Sequence, residues 1–292
     1  MYELMQLTEN TYYMDCPSKV GIVKTAPKEA ILIDSGSDKD AAKKVKRHLD
    51  AMGVNLTAIF NTHSHADHIG GNAHLQNLIG CKVYAQGVEA AFANYPFLEG
   101  AFLYGSQPLP ELQNKFLLAK ESRGEELTEE VLPEGVKLIP LPGHSFDMKG
   151  YLTPDGTAYI GDAVSSRETL DKYGISFLWD VGDSLATLDS LCTLEAARFV
   201  PAHAPVTEDI RELAEYNRSA ILTAAERITE LCAAPVTFET LLAGVFRVYG
   251  MTMNAQQYGL IGSTVRSYLS YLLGQGAVKF FFENEQMLWE RA

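Results

Sequence analysis

The 292-residue sequence predicts an α/β protein, a sheet-based sandwich with helices on its outer faces, followed by a smaller, mainly helical unit. Three observations carry this expectation. Short apolar strands alternate with helices in two successive halves up to about residue 206. From residue 207 the pattern changes to long helical stretches closed by a hairpin. Five of the seven histidines fall where predicted strands run into loops. A chain of this length suits one main domain of residues 1–206 and a second unit of residues 207–292.

The first 35 residues hold the runs YELMQL, TYYMD, VGIVKT and AILID, separated by turn residues, which read as antiparallel strands. Residues 38–52 form a predicted helix in which Ala42, Val45 and Leu49 recur at spacings of three and four, and Gly53 stands at the C-cap position. The strand LTAIFNT follows and runs straight into His63. A helix over residues 69–79 and a strand KVYA come next. Residues 87–130 are richer in Ala, Leu and Glu around a YGSQPLP loop, and are expected to form a mostly helical insertion or lid. Its tyrosines, Tyr95 and Tyr104, are expected to pack rather than to line a pocket.

Strands resume at VKLIPL, MKGYLT and TAYIGD. A helix over residues 184–197 then leads to the strand RFVPA. Beyond residue 207 come a long helix over 208–233, ending before Pro235, and two further helices over 237–249 and 255–273. The strands GAVKFFF and QMLWER close the chain around a turn at 283–285. Three helices and a terminal hairpin are the outline of a winged-helix module. No internal repeat interrupts this order.

With 47% hydrophobic and 21% charged residues, the composition is that of an ordinary globular protein. A formal charge of −13 disfavours long-range attraction to nucleic acid or to an anionic membrane. No basic stretch followed by an apolar core opens the sequence, and no apolar run of about 18 residues occurs, so neither a signal peptide nor a membrane span is expected. The four cysteines, Cys16, Cys81, Cys192 and Cys232, are scattered and read as reduced packing residues of a cytoplasmic protein.

The chemistry concentrates in Asn61-Thr-His-Ser-His-Ala-Asp-His-Ile-Gly-Gly71. Alternate residues of an extended segment face the same way, so His63 and His65 can reach one metal together. Asp67 and His68 lie past the bend and can face a second. Gly70 and Gly71 are expected to let the backbone pass close to the cluster. The remaining ligands are expected from other strand ends: His144 after VKLIPL, Asp162 at the end of TAYIGD and His203 after RFVPA. Imidazole and carboxylate suit zinc, and three such groups per ion leave a position for water. His48 and His74 lie within helical patterns and are set aside.

These motifs resemble the metallo-β-lactamase superfamily over roughly residues 1–206. The resemblance implies a four-layered αββα sandwich with two divalent transition-metal ions at one edge of the sheets. It implies that His63, His65 and His144 bind the first ion and Asp67, His68 and His203 the second, with Asp162 bridging. Aspartate at the bridging position, where the best-known zinc β-lactamases carry cysteine, is similar to the glyoxalase II and phosphodiesterase branches. Glycines commonly flank the last histidine in the family, and here Ala202 and Ala204 do, which leaves the loop geometry around His203 open.

The resemblance therefore implies a hydrolase in which paired ions, zinc first and iron or manganese as alternatives, lower the pKa of a bridging water to give hydroxide at neutral pH. Asp67 is expected to orient or relay a proton of the nucleophile as well as to ligate, and Asp34 in LIDSGS to support the ligand loop from behind. The expected substrate is a small-molecule ester, thioester or lactone. The alternative is a metal-dependent ribonuclease or phosphodiesterase that grips nucleic acid with the C-terminal module. That module carries seven Lys/Arg against ten Asp/Glu, a net of about three negative charges (7 − 10), which favours a capping, pocket-walling or dimer-forming role. A homodimer is an open expectation, and a membrane partner is not expected.

Overall fold

The structure, a computed structural model, describes residues 2–292. Four antiparallel strands open the chain: β1 (Glu3–Gln6), β2 (Thr11–Asp15), β3 (Val20–Ala26) and β4 (Glu29–Ile33). The helix α1 (Lys39–Met52) begins where the Asp38 carboxylate accepts from the amides of Asp40 and Ala41, and ends at Gly53 in the left-handed conformation. It crosses to β5 (Asn55–Phe60), which pairs parallel with β4. Then come α2 (Ala66–Ile69), α3 (Asn72–Ile79), β6 (Lys82–Ala85), α4 (Gly87–Asn94), α5 (Phe97–Tyr104) and β7 (Gly124–Glu126). The strands β1 to β7 form one seven-stranded sheet in sequence order. The expected insertion is thus not purely helical, because β7 closes that sheet by pairing parallel with β6.

The second sheet has the order β11-β10-β9-β8, from β8 (Lys137–Pro140), β9 (Lys149–Leu152), β10 (Thr157–Gly161) and β11 (Arg198–Pro201). Between β10 and β11 lie α6 (Arg167–Tyr173), which the sequence reading missed, and α7 (Val181–Thr193), which starts three residues before the expected 184. Both helices have side-chain caps, Ser166 accepting from the Thr169 amide and Asp180 from the Asp183 amide.

Alternation along the strands builds the layers. In β4, Ala30 and Leu32 join a cluster with Ala42, Val45, Leu49 and Leu75 of the covering helices. Ile31 and Ile33 face Tyr151, Tyr159 and Val200 of the second sheet. The second sheet's far face, with Ile139, Ala158, Ile160 and Phe199, packs under α7 and α8 (Arg211–Leu231). Helix, sheet, sheet and helix are therefore stacked in that order.

The same outer cluster continues without a break into β12 (Val236–Thr237), α9 (Phe238–Val248), α10 (Ala255–Gly274), β13 (Val278–Glu283) and β14 (Gln286–Arg291). These strands form a three-stranded sheet ordered β12-β14-β13; its hairpin turns at Asn284 and Glu285, both with positive φ, and its short first strand was not foreseen. Among the described residues, no helix is long and apolar enough to cross a membrane. All four cysteines are free; three are buried, and Cys192 is exposed, against the expectation of packing.

Candidate metal centre

The seven expected donors all leave the ends of strands on one edge of the two sheets. His63 and His65 follow β5, Asp67 and His68 lie in α2, His144 precedes β9, Asp162 follows β10 and His203 follows β11. Gly70 and Gly71 contribute differently from the expectation. A Cβ at either would strike the main chain of Ser37 or Ser35, at 2.2 and 2.3 Å, so they let α2 dock on the loop after β4 rather than on the cluster. The amide of Ser35 and its hydroxyl both donate to the His68 carbonyl, which fixes that docking. At Gly161, with φ +50°, a Cβ would meet the Thr62 hydroxyl at 2.9 Å, and its absence brings Asp162 against the histidine loop. The loops of the two sheets are tied directly: Lys149 N–H donates to the Thr62 carbonyl and the buried Tyr151 hydroxyl to the Asn61 carbonyl.

The ligand atoms fall into triads. Nε2 of His63 and Nε2 of His144 lie 2.9 and 3.0 Å from Nδ1 of His65. Nε2 of His203 and of His68 lie 3.0 and 3.6 Å from Oδ2 of Asp67. Asp162 touches both groups, at 3.5 Å from His144, 3.2 Å from His68 and 3.4 Å from His203. The sets His63, His65, His144 and Asp67, His68, His203 each place one ligand atom per residue within 4.8 Å of the others. Four donors around zinc at bond lengths near 2.0–2.1 Å lie about 3.3 Å apart, so this spacing fits a metal ion. The chemistry of the donors fits as well. Thr62 donates its hydroxyl proton to Asp34, so its oxygen accepts from Nδ1 of His63, leaving Nε2 of that ring as a bare lone pair aimed at the cluster. Oδ1 of Asp162 is buried and, although His68 Nε2 lies 3.2 Å away, it accepts no well-aligned hydrogen bond among the described residues.

Burial pushes the imidazoles of the first triad down, His65 and His144 to about 4 and His63 well below the ordinary value, so all three stay neutral. In the second group the carboxylates win. Asp162 raises His203 to about 10. Burial alone would lower His68, but Asp162, Asp67 and Asp34 outweigh it and hold the ring well above its usual range. The protonated rings in turn depress Asp162 well below the ordinary carboxylate value, against its own desolvation. Two cationic rings thus stand beside two carboxylates, the charge arrangement that a divalent ion replaces.

The supporting residues explain the orientation. Asp34 sits in the left-handed region at φ 62° and accepts from Nδ1 of His68 at 2.7 Å, from the Thr62 amide at 2.7 Å and from its hydroxyl at 2.8 Å. Nδ1 of His203 donates to the Pro17 carbonyl at 2.7 Å. Neither Ala202 nor Ala204 has positive φ. Lys19 holds both carbonyls, by its amide and its ammonium, so this loop needs no glycine. His48 faces the Tyr2 carbonyl, away from the site.

Sequence reasoning missed Glu89. This buried carboxylate of α4 accepts from the Ser64 amide and hydroxyl at 2.9 and 2.5 Å, and from the Ser145 hydroxyl and Asp147 amide at 2.7 and 3.0 Å. It joins the loops of His63/His65 and His144 at one point. It also missed Phe177, whose ring meets those of His65 and His144 edge-on with centroids 5.3 and 5.8 Å away. Tyr95 and Tyr104, expected to pack, are exposed on the insertion, and Tyr104 lines a groove beside α10.

The family model described as Metallo-beta-lactamase superfamily matches residues 13–203. An atrochrysone carboxyl ACP thioesterase of Passalora fulva is 25% identical over 277 residues, 92% of this chain and 74% of that protein. A hydroxyacylglutathione hydrolase of Dechloromonas aromatica (strain RCB) is 28% identical over 256 residues, 87% of this chain and 84% of that protein. Among solved structures, a metallo-beta-lactamase family protein from Thermus thermophilus superposes with a TM-score of 0.75 at 20% identity, over 98% of this chain and 100% of that one.

Proposed function

Because the chain is a hydrolase that belongs to the metallo-beta-lactamase superfamily, we propose that it is a binuclear enzyme cleaving the thioester, or a related ester or lactone, of a small molecule. The observation that carries this reading is the pair of donor triads joined through Asp162 at the strand edge. His63, His65 and His144 would hold one ion, Asp67, His68 and His203 the other, and Asp162 would bridge them. Zinc fits the nitrogen and oxygen donors best, with iron and manganese also compatible. When bound, such ions supply an acidified water and an electrophile for the substrate oxygen.

The chain's own residues do the rest. Asp67, the more exposed of the two cluster carboxylates, would orient the attacking water and accept its proton. Asp34 and the Pro17 carbonyl fix which ring nitrogens of His68 and His203 face the cluster. Phe177, Leu117 and Leu260 form an apolar wall of the cavity beside the donors. The two relatives whose printed names denote thioester chemistry favour that bond over the others. Residues 207–292 are assigned here as a winged-helix-like module of structural use, since α10 supplies Gln256 and Leu260 to the cavity wall.

Purified protein assayed for metal by mass spectrometry and offered thioesters, lactones and phosphodiesters is expected to hold two equivalents and to prefer thioesters. Protein that binds no transition metal even after reconstitution refutes the reading. The nuclease alternative predicts a salt-sensitive gel shift with single-stranded RNA. Absence of a shift at low salt ends it.

A further inference from the structure

Beneath α5 a cavity of about 190 Å³ opens on His65, Asp67, His144 and Asp162. Its remaining wall is apolar, through Phe116, Leu117, Phe177 and Leu260, except for two polar residues, Glu99 and Gln256. No lysine or arginine lines it. Glu99 stands in the first turn of α5 and is only 6% exposed. Its carboxyl receives no hydrogen bond from the described residues, in contrast to Glu89, which receives four. A largely buried carboxyl with no protein donor, left to whatever water enters the cavity, costs the fold free energy relative to an apolar side chain. A leucine there would pack with the neighbouring apolar residues and remove that cost. A group kept at such a cost, facing the space beside the donor cluster, is suited to a partner that arrives with the substrate.

We propose that Glu99 is the specificity-determining residue of this cavity and receives a hydrogen-bond donor, a hydroxyl or an amine, on the end of the substrate that lies beneath α5. The proposal rests on the hydrolase reading of the same site and names the class of substrate it selects. Burial, reinforced by the nearby Glu89 carboxylate, pushes the Glu99 carboxyl up to about 8, consistent with a group that lacks its counterpart in the free protein. A substrate ending in a methyl leaves this carboxyl unpaired. One ending in a carboxylate brings a second acidic group against Glu99, with no lysine or arginine in the lining to pair with it. A neutral or cationic donor satisfies it. Sites that hydrogen-bond a substrate hydroxyl discriminate against the analogue lacking it more strongly than apolar pockets discriminate by size.

The test uses metal-loaded full-length protein and a series of thioesters of one small thiol, with acyl chains of equal length ending in methyl, hydroxyl, amine or carboxylate. The hydroxyl and amine compounds are expected to exceed the methyl compound about 10-fold and the carboxylate about 100-fold in kcat/KM, chiefly through KM. Glu99→Leu should bring the hydroxyl, amine and methyl compounds within about 3-fold of one another and raise the unfolding midpoint. Glu99→Gln should keep the hydroxyl preference and lose that for the amine. Calorimetric binding of the matching non-hydrolysable thioethers provides a second readout. If no thioester is cleaved while the thioethers keep this ranking, the thioester reading fails and the assignment of Glu99 stands. Equal binding of all four analogues by the wild type, or binding of none, overturns the proposal. So does a ranking that Glu99→Leu leaves unchanged, or a loss of stability in both variants.

Discussion

Replacing Glu89 removes a single carboxylate that holds two ligand loops at once. Two of its four donors are main-chain N–H groups, of Ser64 on one oxygen and Asp147 on the other, and neither can turn away. The other two are the hydroxyls of Ser64 and Ser145, which can rotate to new acceptors. Glu89→Ala therefore orphans two main-chain amides, that of Ser64 buried and that of Asp147 half-buried, at about 1–3 kcal/mol each, less whatever a water entering the vacated space restores, or about 3 kcal/mol net. Glu89→Gln keeps the shape but presents its own NH₂ to one of the two fixed amides whichever way it is flipped. It should cost about 2 kcal/mol. Both losses should appear in urea unfolding of the metal-loaded protein. Chelator competition should show weaker metal binding, because the His63/His65 and His144 loops lose their shared fastening. An alanine variant within about 0.5 kcal/mol of wild type, with unchanged metal affinity, would refute the claim that this carboxylate positions the site.

Three further outcomes are expected. His203→Ala should lower metal content from two equivalents toward one, measured by mass spectrometry, and cut hydrolysis at least about 100-fold, because its ring belongs to only one triad. Asp34→Asn, which tolerates the left-handed φ of 62°, should keep the fold but weaken metal binding or activity about 10- to 100-fold by removing the charged acceptor of His68 Nδ1; unchanged chelator competition contradicts this role. Glu99, raised from 4.5 to about 8 in the folded protein, binds its proton more tightly folded than unfolded, so its contribution to stability falls as pH rises from about 4.5 to 8. The stability gap between Glu99→Gln and wild type should widen across that range by a few kcal/mol at most and level off above it, and a pH-independent gap rules the shift out.

Much of the candidate site was legible because its chemistry is written locally. The segment from His63 to His68 carries four donors in six residues, and His144, Asp162 and His203 each follow an apolar run that reads as a strand. The helix between β4 and β5 was legible from Ala42, Val45, Leu49 and Gly53, whereas the parallel pairing of those two strands was not foreseen. Glu89 and Glu99 were illegible because nothing in a helical stretch distinguishes a surface glutamate from a buried one. Their partners, Ser64, Ser145 and the cavity, are distant in sequence. The helix α6 escaped because only Leu170 is buried on it, leaving no apolar stripe, although Ser166 with Thr169 offered a capping signal. The early start of α7 was likewise readable from Asp180 and Asp183.

The position of α8 has a consequence for how the chain can be cut. One side of its residues Ile221, Ala224, Ala225 and Ile228 roofs the strands that present His144, Asp162 and His203, and the same cluster runs on into Leu241, Val245 and Tyr268. A truncation at residue 206 would strip α8 from that roof, leaving only α7, and wet part of the back of the second sheet. The tail therefore cannot be grafted, swapped or deleted like an appended tag, and the whole polypeptide should melt in a single cooperative step.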